Sequence, residues 1–213
     1  MFLQALAISF GAMFPIVNPF STAPLFVSLT GGMSKEQARR QALKGCIYGF
    51  SILLVFLLLG ARISNFFGIT VPGIRVAGGL IIAAVGFRML FPRPRIPGEL
   101  DGAPPQNLEI AFAPIAMPSL AGPGSISVVL AGATRIRSFP VEDLPMIYAG
   151  VAAGLAVTFV IAFIVLRGAS SLVTLLGHHG IDAMTRIFGF LLMCISMEFL
   201  LGGIAEFYGI SRG

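Results

Sequence analysis

Two short stretches carry the residues whose types and spacing could do chemistry. The first is PIVNPFSTAP, residues 15–24, where Asn18, Pro19, Ser21 and Thr22 interrupt an uncharged apolar run. The second is PIAMPSLAGPGS, residues 114–125, which holds Ser119, Gly122, Gly124 and Ser125 in a similar setting. Each proline inside a helix removes a hydrogen-bond donor and crowds the preceding turn. A helix broken in lipid frees backbone N–H and C=O groups, tolerable only against protein or a polar cavity. A restarted half-helix presents unpaired N–H groups and the positive end of its dipole, which attract an anionic group such as a carboxylate. Hydroxyls and an asparagine carbonyl beside it suit an ammonium. The chemistry on offer is therefore reversible binding of a small zwitterion, although the same prolines could simply kink two helices for packing.

The two stretches align without a gap. Pro15, Ile16, Pro19 and Pro24 match Pro114, Ile115, Pro118 and Pro123, each pair 99 positions apart. RVAGGL at Arg75 matches RIFGFL at Arg186 more weakly, and the pairs Gly45/Gly49 and Gly150/Gly154 also correspond. The GxxxG spacing suggests close helix crossings, within one protomer or between two in an oligomer. Interrupted apolar segments at corresponding places in two halves are a mark of transporters built from inverted repeats.

The elements that must position these residues follow from composition. The chain has 213 residues, 56% hydrophobic and 11% charged, with a mean hydropathy of +0.94. A soluble domain carries roughly 25% charged residues, so an all-α polytopic membrane protein is expected. Six transmembrane helices are predicted over 2–30, 45–61, 70–91, 110–134, 144–166 and 184–206, with helices 1 and 4 broken. They divide into a three-helix repeat over 1–91, a proline-rich cytoplasmic linker over 92–108 and a second three-helix repeat over 109–213, of inverted topology. The Lys and Arg residues cluster between spans, where membrane orientation explains the net charge of +5 without nucleic acid. Nine lie on one side and five on the other, which places both termini outside. No signal peptide is read, because the N-terminus lacks a basic region and its apolar run continues too far.

Other residues carry weaker signals. Arg75, Arg186 and Glu198 border or enter apolar spans, where charge is costly and usually paired or functional. They are candidates for coupling or gating, with snorkelling to an interface as the plain alternative. His178, His179 and Asp182 have no further ligand nearby, and Cys46 and Cys194 are isolated, so no metal, disulfide or cofactor is expected.

Asn18-Pro19 and PIAMPSLAGPGS, together with LTGGMS (29–34), FGI (67–69) and RVAGGL (75–80), resemble the MarC family of inner-membrane proteins, also called the neutral amino acid transporter family. The resemblance covers nearly the whole chain. It implies six spans, a cytoplasmic-membrane location and, for some relatives, carriage of small neutral amino acids. Relatives usually have Ile-Gly where this chain has Phe20-Ser21, and Gln where it has Glu198.

The reading that follows is a secondary transporter of a small neutral amino acid, bound near the midplane between the broken helices and moved by alternating access. Ion coupling, to protons or sodium, or exchange would drive it, since no nucleotide-binding motif is present. The alternative is an accessory or regulatory membrane protein without transport activity. An enzyme is not expected, because no Ser/His or paired-Asp constellation lies within the spans.

Overall fold

Asn18 decides where the first helix stops. In the computed structural model, which describes residues 1–91 and 110–210, helix α1 (Phe2–Val17) ends at Asn18 in the left-handed conformation, φ 37° and ψ 72°. Asparagine tolerates that region better than other side-chain-bearing residues. Pro19 then opens α2 (Pro19–Thr30), a first helical position at which its missing N–H costs nothing. The two helices are bent by 42° at the break.

Three prolines shape the second break in a different way. A residue before proline is pushed out of the helical region. Ala113 (φ −123°, ψ 126°) and Met117 (φ −127°, ψ 122°) are accordingly extended inside the segment Ala111–Leu120. Its turns are wide: the Ile115 and Ala121 amides donate five residues back, to Ile110 and Ala116, at 3.3 and 2.8 Å. Gly122, before Pro123, is extended too (φ −77°, ψ 174°), and α5 (Pro123–Ile136) starts there.

This overturns the six-span expectation. Among the described residues, four helices are long and apolar enough to cross a membrane: α3 (Lys35–Phe66), α4 (Val71–Leu90), α6 (Leu144–Arg167) and the part of α7 (Ala169–Phe207) from His179 to Phe207. The bent pair α1–α2, taken as one span, makes five. The expected fourth span, 110–134, fails because its prolines leave only the 14 residues of α5 in regular helix. These reach about 21 Å at 1.5 Å per residue, short of a hydrocarbon core of roughly 30 Å. With that span goes the division into two three-helix repeats of inverted topology. The expected linker 92–108 lies outside the described residues, as do Arg93, Arg95 and Arg212.

Helix α3 is longer than its expected span. A capping box starts it, with the Gln37 amide donating to Ser34 Oγ (3.2 Å) and the Ser34 amide to Gln37 Oε1 (2.8 Å). The basic stretch 35–44 is thus continuous with the membrane helix, and Glu36 pairs with Arg40 at 3.2 Å on its exposed side. Helix α7 is interrupted at Gly177 (φ 61°), so His179 and Asp182 fall on its membrane-crossing part rather than in a loop.

Small residues let the backbones touch inside one protomer. A Cβ on Gly150 would lie 2.6 Å from the Phe2 carbonyl oxygen, and one on Gly154 would lie 2.7 Å from that of Leu6. Ser9 Oγ reinforces this α1–α6 contact by donating to the Val151 carbonyl at 3.1 Å. Gly45 and Gly49 likewise admit Ile115 and Phe159 against α3. The most extensive helix pairing is α4 with α7, which carry the corresponding RVAGGL and RIFGFL stretches. Between the helices sits a core of Leu53, Leu57, Ile82, Ile115, Leu155 and Leu192, all at most 1% exposed. Leu58, Val160, Ile164 and Leu201 stay exposed on the outer surface, the arrangement lipid requires.

Candidate functional site

The first break is closed by its own side chains. Asn18 is 3% exposed, and its Oδ1 accepts the Ser21 amide at 3.3 Å, capping the restarted helix. The Asn18 carbonyl, turned out of helical register, accepts Ser21 Oγ (3.1 Å) and Thr22 Oγ1 (3.4 Å). That leaves the amide Nδ2. Its recorded partner is the Met89 thioether at 4.0 Å, a weak acceptor. A buried primary amide with so poor a partner can still bind an oxygen.

The second break has the same logic with fewer side chains. Gly122 has no side chain to cap α5, and Ser125 Oγ instead turns back to the carbonyls of Gly122 (2.9 Å) and Leu120 (3.4 Å). Gly124 and Ser125 are buried, while Ser119 and Gly122 are half-buried.

The two breaks lie against each other. A Cβ on Gly124 would meet Ile82 Cγ1 at 3.3 Å and Ile16 Cγ2 at 3.8 Å, so the first turn of α5 abuts the last turn of α1, with α4 as a third wall. Among the described residues no hydrogen bond links one break to the other. Pro19, Thr22, Gly124 and Ser125 are all buried in this region, and Ser21 is half-buried.

An aromatic cluster flanks the first break. Phe20 stacks on Phe188 of α7 with ring centroids 5.5 Å apart and planes 17° from parallel. Phe14 meets both edge-on, at 6.2 and 6.1 Å. Phe20 therefore ties α2 to α7.

The charged candidates stand elsewhere. Arg75, near the start of α4, donates to Glu206 near the end of α7 at 2.7 Å. Arg186 and Glu198 occupy exposed positions on α7. Nothing in the sequence couples position 75 to position 206.

A cavity of about 540 Å³ opens between α1 and α5 on the face that carries Met1, Arg75 and Arg135. Met13, Leu57, Val128 and Val129 line its inner part, and none of the eight break residues does. Met13 precedes Asn18 by five residues and Val128 follows Gly124 by four, axial rises of roughly 7.5 and 6 Å. The inner halves, α2 and 111–120, are packed shut around Ala23, Phe26, Ile115 and Leu120, each no more than 4% exposed. Sequence reasoning missed this cavity and the Gln41 Oε1 that accepts the Ala111 amide at 3.0 Å, anchoring the wide-turn segment to α3. The Phe10–Phe14 spacing of four was the one legible sign of the aromatic cluster.

Among the described residues no group of His, Cys, Asp and Glu could hold a metal ion. Residues 3–208 match the family described as "MarC family integral membrane protein". An inner membrane protein MarC of Citrobacter koseri is 36% identical over 219 residues, and one of Salmonella paratyphi B is 38% identical over 219. One from Escherichia coli O1:K1 is 38% identical over 216 residues, and each alignment covers 95% of both chains. No solved structure matches. The chain belongs to the MarC family of multi-pass integral inner-membrane proteins.

Proposed function

We propose that this protein is a secondary transporter of small neutral amino acids, which bind where the two helix breaks meet. The observation that carries the reading is Asn18, a buried amide donor whose recorded partner is a thioether, set at a helix break beside a second break. In this reading the substrate carboxylate takes Asn18 Nδ2 and the first-turn N–H groups that follow Pro19 and Pro123. The ammonium takes carbonyls released at the breaks, chiefly those of Asn18 and Gly122. Ser21, Thr22 and Ser125 exchange their internal bonds for substrate bonds at small net cost, because one hydrogen bond replaces another, and Ser119 adds a further hydroxyl.

The cavity between α1 and α5 is the approach from one face, and the packed inner halves are the closed gate on the other. Small shifts of the half-helices then open one side while closing the other. Arg75 and Glu206 would act at the rim, not on the substrate. Protons or sodium are the coupling ions to test.

The test is uptake of labelled alanine, serine, threonine, glycine and leucine into proteoliposomes, with imposed proton or sodium gradients. Wild type should accumulate at least one of them, and Asn18→Asp, which retains the capping oxygen but loses the amide donor, should not. Equal uptake by both would sink the assignment of the site, and no uptake under any gradient would sink the transport reading.

A further inference from the structure

The cavity has a chemistry of its own that the breaks do not explain. Its walls are hydrocarbon: Met13, Leu57, Val128, Val129 and Phe199. The Ser9 hydroxyl on its lining is already spent on the Val151 carbonyl. The charge sits at the rim, where Arg75 and Arg135 both face the same space. Arg75 is held by Glu206 at 2.7 Å. The Arg135 guanidinium, in the last turn of α5, has no ion-pair or hydrogen-bond partner among the described residues.

We propose that this cavity binds an apolar anion, a molecule with a hydrocarbon body and one carboxylate or phosphate head. The body fills a space whose walls are mostly hydrocarbon, with Gln4 and Ser9 as the polar exceptions, and such surfaces take apolar guests. The head meets the Arg135 guanidinium, whose planar fork suits a carboxylate or phosphate. A volume of about 540 Å³ falls within the range of small-molecule sites, roughly 300–1,000 Å³. The site goes beyond the transport reading, which makes this cavity only the approach path of the substrate, and it uses neither break.

Two sources could supply such an anion, a dissolved carboxylate or a lipid headgroup, and the experiment separates them. The full chain is placed in phosphatidylcholine nanodiscs and titrated calorimetrically with N-acetyl-leucine, an anion, and with leucinamide, its cationic counterpart. A second preparation in phosphatidylglycerol nanodiscs is examined by native mass spectrometry for retained lipid. Gly132 lines the cavity, and a Cβ there meets nothing within 4 Å. Gly132→Leu therefore adds hydrocarbon to the cavity from a position where its Cβ meets nothing, and Arg135→Gln removes only the charge.

N-acetyl-leucine should bind at least about tenfold more tightly than leucinamide, and Arg135→Gln should weaken it about tenfold, the scale of one hydrogen bond to a charged group. Gly132→Leu should abolish binding. Phosphatidylglycerol retained by wild type and lost from both variants would support the site with lipid as its source. Equal binding of the amide, indifference to both variants, or no ligand in either preparation would overturn the proposal. Asn18→Asp should bind N-acetyl-leucine like wild type, so a failure of transport leaves this result readable.

Discussion

Gly86 of α4 and Gly189 of α7 exclude each other's side chains. A Cβ at 86 would lie 2.9 Å from the Gly189 carbonyl oxygen, and one at 189 would lie 3.1 Å from that of Gly86. Backbone cannot retreat as a flexible side chain can, so even a methyl must push the helices apart. Gly86→Ala should destabilise the protein by about 1–3 kcal/mol, the usual cost of overpacking. Gly132→Ala, in open space on α5, should be neutral or gain from the better helix propensity of alanine. Thermal unfolding of both variants in the same detergent checks the contrast, which a common Tm would contradict.

Asn18 combines two demands that separate by substitution. Its backbone needs a left-handed conformation, and its Oδ1 caps α2. Asn18→Ala loses the cap, a cost of about 1 kcal/mol, and also strains the backbone. Asn18→Gly relieves the strain while losing the cap, so it should be the more stable of the two by Tm. Neither should retain amino acid uptake, and activity in either would remove the amide from the site.

How much of this was legible beforehand varies by residue. The break at Asn18-Pro19 and its cap follow from local chemistry, because asparagine and proline act on their own turn. The second break was legible as a break but not in its form. Three residues forced into extended conformations before Pro114, Pro118 and Pro123 add up to a lost span, which hydropathy over 110–134 conceals. GxxxG signalled close approach, yet the partner of each glycine is a matter of tertiary packing. The Arg75–Glu206 pair joins residues 131 apart and leaves no local trace.

That ion pair is partly exposed, with Arg75 at 19% and Glu206 at 45% side-chain exposure. Such pairs contribute at most about 1 kcal/mol. Glu206→Gln should therefore lower Tm little, while Arg75→Leu, which also strips the cavity rim, should impair uptake more than Arg186→Leu at its exposed position. Equal effects of the two arginine variants on uptake would show that position on the rim is irrelevant.

Phe20 and Phe188 should be energetically coupled. Aromatic pairs in this geometry contribute about 0.5–1.5 kcal/mol beyond their buried area. A double-mutant cycle of Phe20→Leu and Phe188→Leu, read by unfolding, should return a coupling in that range. Strict additivity would mean the rings are neighbours without consequence.

Sidedness is open to a direct measurement. Single cysteines at Gly32 and Ile69, both exposed and separated by α3 alone, in a chain lacking Cys46 and Cys194, should react from opposite sides with an impermeant maleimide. In whole cells only the Ile69→Cys variant should label, since the Lys- and Arg-rich connections belong in the cytoplasm. Labelling of both from outside would reverse that assignment.

The Asn18-Pro19 sequence also bears on how the molecule ages. Asparagine ordinarily decays to aspartate when the next residue's backbone nitrogen closes a ring on the side-chain carbonyl and expels ammonia. That nitrogen must give up a hydrogen, and Pro19 has none to give. The same proline that restarts α2 therefore denies Asn18 its usual route of chemical decay. A break built on Asn-Gly would fit the left-handed turn equally well, yet it would slowly convert its amide donor into a carboxylate. Here the donor should survive unaltered for the lifetime of the protein.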